Sequence, residues 1–450
     1  MYLLKNSFRY SRFVSIIFGL ITFSLNSLRH SRFVALLSFT AEKIIDIYSI
    51  SGLRRFVNSL FYPAKLWGFV DRLNSRLNFN LLKPDKIFLL AYASFILLSS
   101  YTISLRALVF LLVTLVFFVF GFIFAKRVSF REGDFKSASL KAGVLIYLFS
   151  LLCLMLDIYY VREIPLFDPI ARKKLSVLLT YTSTFIVLAG LMIASYIAWE
   201  YYNGRRNRSN ARVKVFTIAL TTTFLVTLLG FRTQTLVSLL GFTFVMYRYA
   251  LIGNFEIISA MASGLLAISA MGAYRAIRVG YALGISHVIG NRVGVTLSIY
   301  NYIVNNLFYV SHFSGYNVLL TGVYHGRIAL STFSSFLNFI PGPSLGPRTI
   351  VAREFGVTGV TLTSTLLGPV SLDLGLIGSV LFLLILGVII GLAFKNSIAT
   401  ASPLATAFFS ILFAYLLVGI ETGLVDFNVF VLFSASLFIS IAHLAEGSKG

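Results

Sequence analysis

Cysteine is almost absent: the 450 residues include one, Cys153, inside an apolar run. That excludes an intrachain disulfide and any site built on paired thiolates. Charge is scarce as well, at 12% of residues, and acids are the scarcer sign, with 16 Asp and Glu against 38 Lys and Arg. No Walker-type phosphate loop is present, so ATP hydrolysis is not expected. No His-x-x-x-His or carboxylate-rich pattern is present either, so no protein-held metal and no cofactor are expected. The basic N-terminal residues Arg12, Arg29 and Arg32 are followed by no small-residue cleavage site, so a cleaved signal peptide is not expected. Acids in the apolar runs are few: Asp157 and Glu200 stand at span ends, and Glu421 and Asp426 share a short loop. Ion-coupled transporters keep ionisable groups near the midplane, so this scarcity argues against secondary transport.

What the chain has in plenty is apolar surface, with 58% hydrophobic residues and a mean hydropathy of +0.87. Such a chain lies outside the soluble range. A lipid-embedded backbone must satisfy its own hydrogen bonds, and a run of about 20 apolar residues crosses the hydrocarbon core. The expected fold class is therefore an all-α polytopic membrane protein of about 10–12 transmembrane helices. Spans are expected near 87–104, 107–125, 140–157, 175–199, 213–230, 234–251, 257–274, 375–394, 403–420 and 427–444. Four regions follow: a basic N-terminal region at 1–86, a helical bundle at 87–274, an extracytoplasmic segment at 275–374, and C-terminal spans at 375–450. The run from Phe13 to Leu28 either crosses or lies in the interface, and a basic octapeptide at 7–14 is echoed at 27–34.

A net charge of +22 on a soluble protein would suggest nucleic acid. Here the cations cluster between spans, which points to the bilayer as partner and to no nucleic acid. The loops Lys126 to Lys141 and Glu200 to Lys214 carry five Lys or Arg each, so both are expected to face the cytoplasm. Counting spans from them puts both termini inside and 275–374 outside. The short outer loop at 158–174, with Arg162, Arg172, Lys173 and Lys174, runs against that rule.

The segment 275–374 holds six arginines, no lysine and two acids, Glu354 and Asp373. The arginines are Arg275, Arg278, Arg292, Arg327, Arg348 and Arg353. Guanidinium is a planar fork that meets phosphate oxygens two at a time, whereas ammonium is a point charge. Arg232, in a tight turn between spans, joins them as a candidate phosphate ligand. Snorkelling to lipid phosphate is the plainer role for Arg232, as span anchoring is for Arg275 and Arg278. Three of the five histidines share the segment: His287, His312 and His325. A neutral imidazole accepts protons near neutral pH. His325, two residues from Arg327, is the first candidate base and His312 the second. Short amphipathic or re-entrant helices are expected over 301–323 and 328–340, then a Pro-rich loop at 341–347 that presents Arg348.

Several stretches together resemble the O-antigen polymerase superfamily, in particular Wzy-type oligosaccharide repeat-unit polymerases. They are Ile164-Pro165-Leu166-Phe167, Gly230-Phe231-Arg232-Thr233, Phe336 to Pro341, Val357 to Gly368, and Leu374-Gly375-Leu376-Ile377-Gly378. The likeness covers about residues 87–445, and it departs from the family pattern at Phe231, Gly342 and Pro369. The resemblance implies a glycosyltransferase C-like helical bundle that joins repeat units carried on polyprenyl diphosphate at the outer face. It further implies lipid-linked oligosaccharides as substrates and a chain-length regulator or flippase as partner. Two rivals stay open: a ligase that moves a finished glycan to another acceptor, and a non-enzymatic flippase or exporter.

Overall fold

The computed structural model describes residues 83–99, 101–128, 130, 138–166, 171–257, 259, 285–314, 317–334, 346–356, 362–424 and 426–446. These residues are helical and loop throughout, with no strand among them. In chain order the helices are α1 Pro84–Leu97, α2 Leu105–Ala125, α3 Ala138–Val161, α4 Val177–Tyr202, α5 Arg208–Leu228 and α6 Arg232–Arg248. Then come α7 Ile285–Ser314, α8 Asn317–Thr321, α9 Arg327–Ser334, α10 Pro347–Glu354, α11 Gly368–Thr400, α12 Pro403–Thr422 and α13 Phe427–Glu446. Six are long and apolar enough to cross a bilayer: α2, α3, α4, α5, α11 and α12. The protein is a multi-pass, all-α membrane protein. The run from Phe13 to Leu28 and most of the span expected over 257–274 fall outside the described residues, so the full count of ten to twelve is not reached by the helices named here.

Several elements differ from expectation in length, each for a local reason. The run at 87–104 divides: α1 stops at Leu97, a Ser99–Tyr101 turn follows, and the Ser104 hydroxyl accepts from the Ala107 N–H at 3.3 Å to start α2. The span expected at 375–394 starts about two turns earlier, at Gly368, with Pro369 in the first turn where its missing N–H costs nothing. Pro347 acts likewise. It opens α10, so Arg348 sits in a helix and not in the loop expected from the prolines before it.

The bundle is built around α12, 89% of whose apolar window is buried. It packs against α4, α6, α11 and α13, and an aromatic column links it to α6, α11 and α2: Phe413 stacks on Phe409 at 5.6 Å and tilts on Phe244 at 4.6 Å, while Phe394 meets both Phe409 and Phe122. The tightest seam is α2 against α11. A Cβ on Gly121 would come within 2.1 Å of the Leu384 carbonyl oxygen, and one on Gly387 within 2.1 Å of the Phe118 carbonyl oxygen. In lipid, where apolar side chains gain nothing from leaving water, such backbone-to-backbone approach of small residues is what holds helices together.

Helix ends separate the bundle into two faces. At one lie the basic turns, with Arg205, Arg206, the Arg212 bond to the Leu251 carbonyl, and Arg248 donating to the Ser397 and Ile398 carbonyls at 3.2 and 3.3 Å. At the other lie the ends of α3, α5 and α12 and the starts of α4, α6, α11 and α13. There Asp157, fully buried, accepts from the Ser176 N–H at 2.9 Å and the Thr180 hydroxyl at 2.6 Å, which fixes the start of α4. The Leu166 N–H donates to the Leu228 carbonyl at 3.0 Å, tying the loop at 162–166 to the turn before α6.

Candidate functional site

Three short helices, α8, α9 and α10, lie over the start of α11, and their attachment follows from one kink. Gly375 interrupts α11 with φ 71° and ψ −172°, a conformation that a side chain disfavours. The kink lets Leu372 and Asp373 turn their carbonyls outward. Val323 and Tyr324 donate their N–H groups to the Leu372 carbonyl at 2.8 and 3.2 Å. The Asp373 side chain, 2% exposed, accepts from the Ile328 N–H at 2.9 Å and the Ala329 N–H at 2.8 Å. A carboxylate there answers the otherwise unmade donors and the positive end of the α9 dipole. Gly322 is so close that a Cβ would meet the Leu372 oxygen at 2.6 Å.

Asp373→Ala removes both acceptors and leaves two N–H groups with no partner, at about 1–3 kcal/mol each. Hydrogen exchange over residues 324–332 is expected to speed up in that variant, with Asp373→Asn intermediate because one amide oxygen remains. Unchanged exchange would show that the cap does not hold α9.

A second connection ties α9 to α10: the Tyr324 hydroxyl donates to the Glu354 carboxylate. Arg348, in the first turn of α10, then reaches across to Asp426 in the loop before α13, Nη2 to Oδ2 at 2.5 Å. The two side chains are 23% and 30% exposed, so this ion pair is neither sealed in the core nor free in solvent. The Nε of Arg348 is buried and makes no hydrogen bond. Tyr181 and Tyr415 both lie within electrostatic reach of Arg348 and Asp426. The Tyr415 hydroxyl donates to Gln234 Oε1 at 2.7 Å, and the Asn428 amide donates to Tyr415 and Thr184 at 3.5 and 3.4 Å. Phe333 on α9 closes the side, edge-on to Phe430 at 4.7 Å and to Phe427 at 6.0 Å.

Of the residues expected from sequence, Arg348 and Arg232 belong to this end of the bundle. Arg232 is the first residue of α6, two positions before Gln234, and its side chain is half-buried. Arg327 and Arg353 are exposed, on α9 and at the end of α10. His325 is exposed in the turn before α9, with φ +50°. Arg292, His287 and His312 lie along α7, but their side chains are outside the described set, as are Arg275 and Arg278 entirely.

Arginine is thus held by a carboxylate at one end of a membrane bundle, among tyrosines, an amide pair and an aromatic wall. The sequence from 81 to 433 matches a family model whose description reads "Putative O-antigen polymerase". The chain belongs to the O-antigen polymerase family. The match includes α1 to α12 entire, and with them both partners of the Arg348–Asp426 pair. A similar protein is an uncharacterized one from Methanocaldococcus jannaschii, 29% identical over 347 residues that make up 75% of this chain and 89% of that relative.

For a member of the O-antigen polymerase family, the residues missed from sequence are as telling as those found. Asp426, Tyr181, Tyr415 and Asn428 were not expected at the site. Asp426 is one of only two acids in its loop, and that scarcity was the available signal. Its partner stands 78 positions away, a pairing that no local pattern announces.

Proposed function

We propose that this protein polymerises oligosaccharide repeat units carried on polyprenyl diphosphate, at the outer face of the membrane and without a metal. The observation that carries the reading is Arg348, held by Asp426 and within electrostatic reach of Tyr181 and Tyr415, in a bundle of the O-antigen polymerase family. The leaving group of this reaction is a lipid diphosphate, and a guanidinium already placed where charge develops stabilises its departure without reorganising. Arg232 is the second ligand, with Arg327 and Arg353 at the rim meeting glycan or outer phosphate. Arg275, Arg278 and Arg292 stay in the clamp as read from sequence. Phe333, Phe427 and Tyr181 offer flat faces for sugar rings.

The orientation follows from charge. The basic turns that carry Arg205, Arg206 and Arg248 stand at the face opposite Arg348. By the positive-inside rule we read that face as cytoplasmic and the Arg348 end as outer, with the termini inside as expected from sequence.

Purified protein in lipid vesicles, given a synthetic polyprenyl-diphosphate oligosaccharide, is expected to yield a ladder rising by whole repeat units. No nucleotide sugar is needed, and EDTA leaves the rate unchanged. A single transfer to a different acceptor would mark a ligase. Lipid-linked glycan that crosses the vesicle wall without lengthening would mark a flippase.

A further inference from the structure

We infer that Asp426 is the proton acceptor of the reaction, kept inactive by Arg348 until a lipid diphosphate takes that arginine away; this rests on the polymerase reading above. Sequence pointed to His325 or His312 for that role. The geometry favours the carboxylate for three reasons.

First, place. A phosphate oxygen that takes the Nη2 proton now given to Asp426 Oδ2, 2.5 Å away, displaces that carboxylate from the guanidinium. Bound on that edge of the guanidinium, the diphosphate stands next to the carboxylate it displaced. His325, by contrast, is exposed in the turn before α9, and among the described residues no hydrogen bond or ion pair holds it.

Second, charge. The Asp426 carboxylate has the Arg348 guanidinium as its ion-pair partner, and a bound diphosphate competes for that same guanidinium. Among the described residues, Arg348 from α10, Tyr181 from α4 and Tyr415 from α12 lie within reach of Asp426. Arg348 alone among these is a cation, so its capture by phosphate is the event that sets the base free.

Third, freedom to move. Asp426 is 30% exposed and begins α13 through its carbonyl, which accepts from the Phe430 N–H at 3.2 Å. Its side chain can swing without undoing the helix.

The step balances. The acceptor hydroxyl oxygen bonds to the anomeric carbon of the donor sugar as its proton passes to an Asp426 oxygen. The bond from that carbon to the phosphate oxygen breaks, and its electron pair leaves with the lipid diphosphate, neutralised in part by Arg348. Asp426 then yields the proton to water and returns to the arginine.

The test pairs turnover of a synthetic polyprenyl-diphosphate oligosaccharide with binding of polyprenyl diphosphate alone, both in nanodiscs. Asp426→Asn is expected to lower kcat by about 100-fold, within the range for loss of a general base. Polyprenyl diphosphate is expected to bind that variant as tightly as wild type or more tightly, since its arginine is no longer neutralised. Asp426→Glu keeps a carboxylate and is expected to recover most of the lost kcat. Turnover of Asp426→Asn within threefold of wild type overturns the assignment and sends the proton elsewhere. Loss of binding along with turnover overturns it too, because Asp426 would then only hold Arg348 in position. Should Asp426→Asn fail to fold, Asp426→Ala with added formate decides: a small external base restores turnover only where a proton acceptor is missing. A wild-type protein that extends no glycan defeats the polymerase reading itself, a result distinct from either variant outcome.

Discussion

Arg348→Ala is expected to slow glycan extension by about 1,000-fold, at the upper end of what one preorganised charge donor contributes to a transition state. The developing diphosphate charge goes without its nearest guanidinium, a loss that an Asp426 already released from its ion pair does not offset. The loss should appear in kcat and in donor KM alike, because the same fork holds the diphosphate before and during reaction. Arg348→Lys should recover little of it, since an ammonium keeps the charge but not the paired donors. Free polyprenyl diphosphate should compete poorly against substrate in both variants. Arg327→Ala and Arg353→Ala, at exposed positions, are expected to cost about 10-fold or less, as rim charges screened by solvent do. Initial-rate measurement of ladder formation checks all four. An Arg348→Ala protein that extends glycan at the wild-type rate would remove the clamp from this site.

Gly387→Leu is expected to have the largest effect on the fold. Its Cβ would lie within 2.1 Å of the Phe118 carbonyl oxygen and 3.1 Å of the Phe122 nitrogen, with backbone on both sides and nothing that can rotate away. The α2–α11 seam must open along its length, and Gly391, whose Cβ would touch Ala125 at 2.6 Å, would be pulled out of register with it. A cost above about 3 kcal/mol is expected, beyond ordinary overpacking because the obstacle is main chain. The single cysteine supplies the measurement. Cys153 is buried in α3, so a maleimide dye reacts with it only when the bundle opens. The variant should react at a distinctly lower temperature than wild type, or not accumulate in the membrane. Val116→Leu, at a position on α2 that is 51% exposed, should melt like wild type. If Gly387→Leu does the same, the seam is not what holds α11 in place.

These two expectations differ in how far sequence alone could have led to them. Hydropathy suffices to locate α2, α3, α4, α5, α11 and α12, because a backbone in lipid has no partner but itself and a crossing needs a fixed length of apolar chain. Arginine without lysine over 275–374 likewise marks the segment that carries Arg348. What sequence misjudges is local form near proline. Pro347 looks like one more helix breaker in a Pro-rich loop, yet at the first turn of α10 its missing N–H has no partner to lose. Asp373 shows the same limit. It reads as an isolated acid, and only a kink at Gly375 lets its carboxylate cap a helix 45 residues earlier in the chain.

Composition and periodicity by themselves determined that this is a helical membrane protein, where its main spans run, and that its segment at 275–374 favours guanidinium over ammonium. Which guanidinium faces which carboxylate was decided by tertiary structure alone. The Arg348–Asp426 pair and the Tyr415–Gln234 bond join residues 78 and 181 positions apart. Burial of a side chain in lipid is a property of the residue and its neighbours along one helix, so it can be summed over a window. An ion pair between helices depends on two distances across the bundle, and those exist only once the glycine seam and the aromatic column have set how the helices lie.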